Sequence, residues 1–367
     1  MKIINIVGTR PNFMKIAPLM MEYAKHSDIE PLLVHTGQHY DERMSDIFFR
    51  DLGIPEPDVN LEVGSASHAL QTAEIMKAFE PVVLEHRPDA VLVVGDVNST
   101  IACGLVAVKL GVKLIHVEAG LRSFDRTMPE EINRVLTDSI SDLLFCTERA
   151  GVDNLLAEGV ASEKIHLVGH VMIDTLLSHL ERAQQSPILD DLRRQGCIDG
   201  DGFAVLTLHR PSNVDDPATF SRILDALEVI QGDLPILFSV HPRTRRNIAA
   251  MGLQRRIDSL TNLHLLDPIG YLDFLKMQAS ARIVLTDSGG IQEETTVLKV
   301  PCLTLRENTE RPVTAEIGSN QIVGTDPVKI VEAYRKAVSG KWREPQVPPL
   351  WDGKAAHRIV HTMLEQL

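Results

Sequence analysis

Two acidic residues stand directly after strand-like apolar runs of this sequence, and they are its clearest candidates for acid–base chemistry. The run Val91 to Val94 leads into Gly95 and Asp96, and a second run, Lys113 to Val117, leads into Glu118. Asp96 taken alone has a second interpretation as the cap of the following helix. Acids at the ends of two neighbouring strands favour a site in which carboxylates move protons.

A third carboxylate, Glu130, opens a predicted helix that begins at Pro129. Acidic residues are favoured in the first turn of a helix by its dipole, so capping explains Glu130 when it is taken alone. Grouped with Asp96 and Glu118, it becomes part of a cluster of acids that suits a reaction with more than one proton transfer.

A glycine turn in the second half of the chain is typical of phosphate binding. Ser288, Gly289 and Gly290 follow a strand-like run and precede a helix that carries Glu294. Backbone N–H groups at such a helix N-terminus can hold a diphosphate, because glycine permits close approach of the backbone. We expect Glu294 to reach ribose hydroxyls and Arg311, in a later loop, to bind phosphate.

Further cations and histidines lie in loops after other strands. Arg10 and Lys15 lie near the start of the first predicted helix and can hold phosphate oxygens, although taken alone they are more simply explained as surface charges. His209 and His241 each follow a strand, where a lone histidine is commonly a structural hydrogen-bonding group. The chain lacks G-x-G-x-x-G, which disfavours nicotinamide dinucleotide binding, and it has no Walker loop, so ATP hydrolysis through such a loop has no support.

The composition excludes several classes of protein. The 367 residues carry 37 basic and 50 acidic side chains, a formal charge of -13, and only 4% are aromatic, which disfavours a nucleic-acid partner. The first apolar stretch, Ile3 to Val7, is too short for the apolar core of a signal segment, and no apolar run reaches 18 residues. We therefore expect a cytoplasmic protein without a membrane segment. The cysteines are Cys103, Cys146, Cys197 and Cys302. They are widely spaced without a C-x-x-C pattern, so no metal site is predicted.

Short β-branched runs alternate with longer helical patterns along the whole chain. This alternation predicts right-handed βαβ units and two successive Rossmann-like, doubly wound parallel sheets in an α/β protein. Ligands of such sheets bind beyond the carboxyl ends of the strands. The predicted strands are Lys2–Val7, Pro31–His35, Ala90–Val94, Lys113–Val117 and Leu143–Cys146, then Phe203–Leu208, Ile236–Val240, Leu263–Leu266, Arg282–Thr286 and Pro301–Leu305.

The domain boundaries follow from a lapse in this pattern and from the C-terminal prolines. The alternation stops between about Arg182 and Gly202, where turn residues flank a short charged helix, and we interpret this region as the junction. Residues 1–175 are predicted to form a first domain with the carboxylates, and residues 176–350 a second, nucleotide-binding domain. Apolar residues at helical spacing predict a terminal helix in residues 351–367.

Taken together, these motifs resemble the non-hydrolysing UDP-N-acetylglucosamine 2-epimerases over nearly the whole chain. That resemblance implies the GT-B architecture, in which two Rossmann-like domains face a central cleft and the terminal helix returns to the first domain. It also implies a homodimer that works in cell-surface polysaccharide biosynthesis without a cofactor. The motifs are Gly8-Thr9-Arg10-Pro11, Gly37-Gln38-His39, Gly95-Asp96, Val117 to Arg122, Pro129-Glu130-Glu131, Asp287 to Glu294 and Glu310-Arg311-Pro312.

The resemblance also assigns roles to individual residues. It implies that the catalytic groups are Asp96, Glu118, Glu130 and His209. It implies substrate contacts from Arg10, Lys15, Ser288, Gly289, Gly290, Glu294, Arg311 and Phe274. Bacterial relatives are activated by a second UDP-sugar, and the corresponding residues here are Gln38, His39, Arg210 and His241.

The chain departs from the family pattern near the expected sugar or base pocket, at Pro211-Ser212-Asn213 and at Ile269-Gly270. Tyr40-Asp41 also differs from the residues that follow the Gln-His pair in activated relatives, so activation is a hypothesis. Four alternatives therefore stay open: an epimerase of a related UDP-2-acetamido sugar, a hydrolysing 2-epimerase, a GT-B glycosyltransferase and a non-catalytic UDP-sugar sensor.

The implied reaction explains why several carboxylates are needed. The C2 hydrogen beside an acetamido group is barely acidic until the C1–O bond to UDP breaks and positive charge develops at C1. A carboxylate then removes the C2 proton and leaves 2-acetamidoglucal. UDP returns to C1 while a second group protonates the opposite face of C2.

Overall fold

The structure is a computed structural model that describes residues 1–37, 53–198, 200 and 202–367. Its residues divide into two compact units, the first formed by Met1–Ser178 with Pro349–Leu367 and the second by His179–Pro348. The division falls inside a helix, and residues 182–202, the junction expected from the sequence, belong to the second unit.

The first unit is built on a seven-stranded sheet in which every pairing is parallel. The strand order is β3-β2-β1-β4-β5-β6-β7. Its central strands are continuous apolar runs because both faces of the sheet are covered by helices, and all of Ala90–Val94 is buried. The strands are β1 Lys2–Val7, β2 Glu30–His35, β3 Val59–Asn60, β4 Ala90–Val94, β5 Lys113–Ala119, β6 Leu143–Cys146 and β7 Ile165–Leu167.

Helices connect these strands. Proline at an early position of the first turn begins two of them without loss of a hydrogen bond, since the first N–H groups of a helix have no partner inside it. The helices are α1 Arg10–Tyr23, α2 His68–His86, α3 Asn98–Lys109, α4 Pro129–Ile140, α5 Arg149–Ala157 and α6 Val171–Gln184, with a 3₁₀ turn at Ser162–Lys164.

The second unit repeats this architecture with a six-stranded parallel sheet of order β10-β9-β8-β11-β12-β13. Its strands are β8 Ala204–Thr207, β9 Ile236–Ser239, β10 Leu263–Leu266, β11 Ile283–Thr286, β12 Cys302–Thr304 and β13 Asn320–Ile322. Its helices are α7 Ile188–Arg194, α8 Pro211–Val214, α9 Pro217–Asp233, α10 Pro242–Ala250, α11 Gln254–Asp258, α12 Tyr271–Ser280, α13 Gly289–Leu298, α14 Pro312–Glu316 and α15 Pro327–Val338.

The prediction of two parallel α/β sheets is confirmed. The bounds of β1, β4, β6 and β10 coincide with those expected from the sequence. Strands β3, β7 and β13 were not predicted, because each has only two or three residues and lies at a sheet edge, where the apolar pattern is weak.

The C-terminal helix, α16 Ala355–Gln366, packs on α1 in the first unit, as predicted. Asp174 accepts hydrogen bonds from the backbone N–H groups of Ala355 at 3.1 Å and Ala356 at 2.7 Å. The side chain of Asp174 thus caps a helix that is distant in sequence. Just before this helix, Trp351 donates its indole N–H to the carbonyl oxygen of Thr147 at 2.9 Å.

Among the described residues, none of the helices combines the length and the apolar character that crossing a membrane requires.

Candidate active site

The carboxyl ends of β4 and β5 bring Asp96 and Glu118 to the same edge of the first sheet. These strands are hydrogen-bonded in parallel, with Val94 opposite Val117. Glu118 adopts a left-handed φ of 76°, and the register of β5 against β6 shifts between Val117 and Ala119. A positive φ is costly for a residue with a side chain, and such strain is concentrated at functional sites. The positive φ and the register shift change the direction of the Glu118 side chain near the end of β5.

Glu118 forms an ion pair with Lys15 of α1, and both side chains are buried. Gly95 leaves the room for this pair, because a Cβ added there would lie 2.8 Å from Lys15 Nζ and 3.9 Å from Glu118 Oε2. The sequence predicted a phosphate ligand at Lys15, and in the structure its ammonium contacts a carboxylate. The pair places a cation at the edge of the sheet beside Gly95.

Asp96 forms an ion pair with Arg134 of α4. The Arg134 Nε and Nη2 atoms also donate to Glu131 Oε2, at 3.0 and 2.8 Å. Burial opposes ionisation of Glu131, but hydrogen bonds from Ser123, Arg134 and the Phe124 N–H hold its pKa below the usual value. Glu131 is therefore a buried anion that fixes the guanidinium of Arg134 against Asp96.

Glu130 lies in the first turn of α4 and is partly buried. It stands four residues before Arg134, and residues at this spacing share one face of a helix. Because Arg134 contacts Asp96, the face of α4 that carries Glu130 is directed toward the end of β4. Asp96 and Glu118 thus lie at one sheet edge, and Glu130 lies on the helix that holds Arg134 against Asp96.

The sequence analysis missed Arg134 and Glu131 as parts of this site. The sequence did contain a signal for this pair, because Glu131 and Arg134 are three residues apart on a predicted helix and an acid and a base at this spacing commonly pair. That spacing is frequent on solvated helices, and only their burial, at 2% exposure for Arg134 and 1% for Glu131, shows that the pair is internal.

In the second unit, His209 is held by the buried carboxylate of Asp287. His209 Nδ1 lies 2.9 Å from Asp287 Oδ1, and the backbone N–H groups of His209 and Arg210 donate to the same carboxylate. Burial opposes ionisation of Asp287, but contacts with His209 and these N–H groups hold its pKa below the usual value. Asp287 therefore orients an imidazole that is partly exposed at the end of β8.

Ser288, Gly289 and Gly290 form the start of α13, as the sequence predicted for the glycine turn. Gly289 is buried, and a Cβ added there would lie 2.9 Å from Glu310 Oε1. The missing side chain thus makes room for a carboxylate of the protein. Ser288 and Gly290 are partly exposed at the helix N-terminus, where backbone N–H groups attract anions.

Arg311 lies in a buried network of charges beside this turn. Its Nε donates to Glu293 Oε1 at 2.6 Å, and its Nη1 lies 3.2 Å from Glu310 Oε1. Glu310 also pairs with Arg306 at 2.9 Å. Burial opposes ionisation of Glu310, but the positive charges of Arg311, Arg306 and Arg210 hold its pKa far below the usual range.

Glu294 is buried beneath the helix N-terminus. Burial, reinforced by the charge of Glu293, raises the pKa of Glu294 to about 7, although Gln278 and Tyr271 favour ionisation. The Tyr271 hydroxyl donates to Glu294 Oε1 at 3.5 Å. Phe274, one turn further along α12, is partly buried against the apolar core of this unit.

The residues predicted to bind a second UDP-sugar, and Arg10, are the last of the predicted site residues. Arg210 Nη2 lies 3.7 Å from Glu310 Oε1. His241 is exposed, caps α10 by accepting the Arg243 N–H, and its ring lies 6.3 Å from that of His209. The predictions for Gln38, His39 and the side chain of Arg10 fall outside the described part of the chain.

Comparison with known proteins gives consistent matches over the full length. The family model described as UDP-N-acetylglucosamine 2-epimerase matches residues 21–364. A UDP-N-acetylglucosamine 2-epimerase of Methanocaldococcus jannaschii is 42% identical over 367 residues, which cover 99% of each chain. A UDP-2,3-diacetamido-2,3-dideoxy-D-glucuronate 2-epimerase of Pseudomonas aeruginosa is 41% identical over 362 residues, 98% of each chain. A crystal structure of the M. jannaschii enzyme in complex with UDP-GlcNAc and UDP superimposes with a TM-score of 0.90, 41% identity and complete coverage of both chains.

Proposed function

Because the chain belongs to the UDP-N-acetylglucosamine 2-epimerase family, we propose that it converts UDP-N-acetylglucosamine to UDP-N-acetylmannosamine without releasing free sugar. The reaction proceeds by elimination of UDP and its re-addition. The C1–O bond breaks with its electron pair leaving on UDP, and a carboxylate takes the C2 proton as the C1=C2 bond of 2-acetamidoglucal forms. A second group then protonates the opposite face of C2 as UDP adds to C1.

The observation that carries this proposal is the pairing of each strand-end carboxylate with a cation. Glu118 contacts Lys15, and Asp96 contacts Arg134, at the ends of adjacent parallel strands. A reaction on opposite faces of C2 needs separate carboxylates. A positioned acid–base group contributes a factor of about 10² to 10⁴ in rate. The carboxylates that act are Asp96, Glu118 and Glu130.

The second unit holds the nucleotide in this mechanism. The N-terminus of α13 at Ser288 and Gly290 receives the diphosphate, and Arg311 and His209 contribute positive charge or hydrogen bonds as UDP leaves. Glu294 binds the ribose. The M. jannaschii structure with UDP-GlcNAc and UDP bound supports a UDP-sugar ligand, since it is 41% identical to this chain over its whole length.

A second substrate deserves a direct test. The diacetamido-glucuronate epimerase of P. aeruginosa is 41% identical to this chain, and the M. jannaschii relative is 42% identical. A difference of 1% in sequence identity does not select between the two sugars. The elimination mechanism is the same for both, because each reacts at the C2 of a UDP-2-acetamido sugar.

The test is a proton NMR time course in D₂O, with UDP-N-acetylglucosamine and the diacetamido-glucuronate in parallel. We expect a UDP-sugar epimerised at C2 and carrying deuterium at C2, with UDP-N-acetylglucosamine the faster substrate. Product that retains the original C2 hydrogen overturns the elimination mechanism. Free sugar supports a hydrolysing epimerase, transfer of the sugar to an added acceptor supports a glycosyltransferase, and binding without turnover supports a sensor.

The same assay tests activation by a second UDP-sugar at Gln38, His39, Arg210 and His241. We propose that activation gives sigmoidal rates with UDP-N-acetylglucosamine and a reverse reaction that starts only when traces of it are added. Hyperbolic kinetics in both directions remove this role.

A further inference from the structure

A histidine that the mechanism does not use lies directly behind the site. His116 on β5 is completely buried, at 0% exposure. Its Nε2 donates to the carbonyl oxygen of Gly95 at 2.9 Å, and its Nδ1 lies 2.6 Å from Asp138 Oδ1. The ring therefore bridges α4 and the turn that carries Asp96.

Both partners of this ring are acceptors. A carbonyl oxygen has no hydrogen to donate, and neither has an ionised carboxylate. Burial opposes ionisation of Asp138, but His116 and Arg122 outweigh it and hold the pKa of Asp138 below its usual value. One hydrogen therefore lies between His116 Nε2 and the Gly95 carbonyl oxygen, and another lies between His116 Nδ1 and Asp138 Oδ1.

Asp138 connects this histidine to the turn that follows Glu118. Its Oδ2 accepts the backbone N–H of Gly120 at 3.0 Å and lies 2.7 Å from Arg122 Nη1. Gly120 adopts a positive φ of 79°, and a Cβ added there would lie 2.3 Å from a backbone oxygen, so this turn has little freedom to move. Asp138 therefore holds the Gly120 turn directly and the Gly95 carbonyl through His116.

We propose that His116 and Asp138 are positioning residues that set the placement of Asp96 relative to Glu118. His116 holds the Gly95 carbonyl, one residue before Asp96, and Asp138 holds the Gly120 amide, two residues after Glu118. This inference rests on the proposed function, in which these carboxylates act at the C2 carbon of one substrate. A misplacement of about 1 Å at a reacting group can reduce the rate about 10²-fold.

Two substitutions of His116 separate positioning from packing. In His116→Gln the amide nitrogen stands where Nε2 stood and can still donate to Gly95, whereas in His116→Asn it stands where Nδ1 stood and can donate only to Asp138. Both variants replace the imidazole ring by a neutral amide. We expect kcat to fall about 10- to 100-fold in His116→Asn, with His116→Gln at least about tenfold more active and the KM of both within about twofold of the parent.

His166→Gln is the matched control, because it makes the same change in a partly buried histidine of the same sheet. Its kcat should stay within about twofold of the parent. Equal kcat values for His116→Gln and His116→Asn, in folded proteins, overturn the proposal. Folding of the first unit is checked through the fluorescence of Trp351, which lies in that unit.

Crystal structures of both variants decide the proposal if either is less stable in solution than the parent or if the parent shows no epimerisation. We expect the Gly95-Asp96 turn to shift and the contact between Asp96 and Arg134 to be lost in His116→Asn only. An unmoved turn in His116→Asn overturns the positioning role. Absence of epimerisation by the parent protein refutes the proposed function, which is a separate result.

Discussion

Lys15 and Glu118 form an ion pair in the interior of the first unit, with side-chain exposures of 6% and 2%. Glu118 reaches this position through a left-handed backbone conformation at the end of β5, and Gly95 provides the space. The pair joins the first helix of the unit to the edge of its sheet. A substitution in this pair should therefore affect both the stability of the first unit and the proposed acid–base role of Glu118.

Lys15→Met should lower the free energy of unfolding of the first unit by about 3 to 5 kcal/mol, because it leaves a buried charge without its partner. Adding Glu118→Gln should restore part of this loss. Urea unfolding followed by Trp351 fluorescence in a Trp342→Phe background measures both. The control is Lys77→Met, which removes a 3.0 Å ion pair between exposed side chains and should cost at most about 1 kcal/mol. Equal losses for Lys15→Met and Lys77→Met would contradict the prediction.

Asp96→Asn, Glu118→Gln and Glu130→Gln should each lower kcat at least about 10²-fold, the low end for an acid–base group. Each substitution keeps the shape of the side chain and removes its ability to exchange a proton. UDP affinity, measured by calorimetry, should be largely unchanged because the proposed nucleotide site lies in the second unit. Near-normal turnover in all three variants would remove their catalytic assignment.

Arg311→Ala and Glu294→Ala should each weaken UDP binding by about 1 to 3 kcal/mol, the usual effect of losing a charge-assisted hydrogen bond. Arg311→Lys keeps the charge and should give an intermediate value. Arg335→Ala removes an exposed arginine from α15 and serves as the control. UDP titrations identical to that of the control would show that Arg311 only balances Glu293 and Glu310.

The stability of the second unit should fall as the pH rises from about 4.5 to about 7. The pKa of Glu294 is raised from 4.5 to about 7 by burial, so within this range the folded state holds a proton that the unfolded state has released. The loss is about 3 kcal/mol, at about 1.36 kcal/mol per pKa unit.

Glu294→Gln should remove this part of the pH dependence. Trp342 lies in the second unit, and the chain has 2 tryptophans, so its fluorescence in a Trp351→Phe background follows the unfolding of that unit. Urea unfolding at pH 5 and pH 7.5 then gives the difference between the parent and the variant. Parallel pH profiles for the two proteins would mean that Glu294 titrates normally.

Asp174→Ala should destabilise the first unit by about 1 to 2 kcal/mol, because it removes the side chain that caps α16. The measurement is urea unfolding with Trp351 fluorescence in a Trp342→Phe background. Asp326→Ala removes the cap of α15 in the second unit and is the control. It should leave the Trp351 transition in place, and an equal shift from both substitutions would refute a local role for Asp174.

The sequence determined the elements of the fold, because parallel strands buried on both faces leave continuous apolar runs between amphipathic helices. It also placed Asp96, Glu118 and the turn at Ser288 at the ends of strands, where ligands of such sheets bind. These features depend on residues close together in the chain. The short edge strands escaped detection because two or three residues carry too little pattern.

The tertiary structure alone decided which partner each charged group has. Lys15 and Glu118 are more than one hundred residues apart, and nothing local to either shows that they meet. His116 and Asp138 each lie on an element whose own pattern is ordinary, and only the packing of α4 against the sheet brings them together. Partnership between distant residues depends on how elements pack in three dimensions, and burial then determines which charges must be paired.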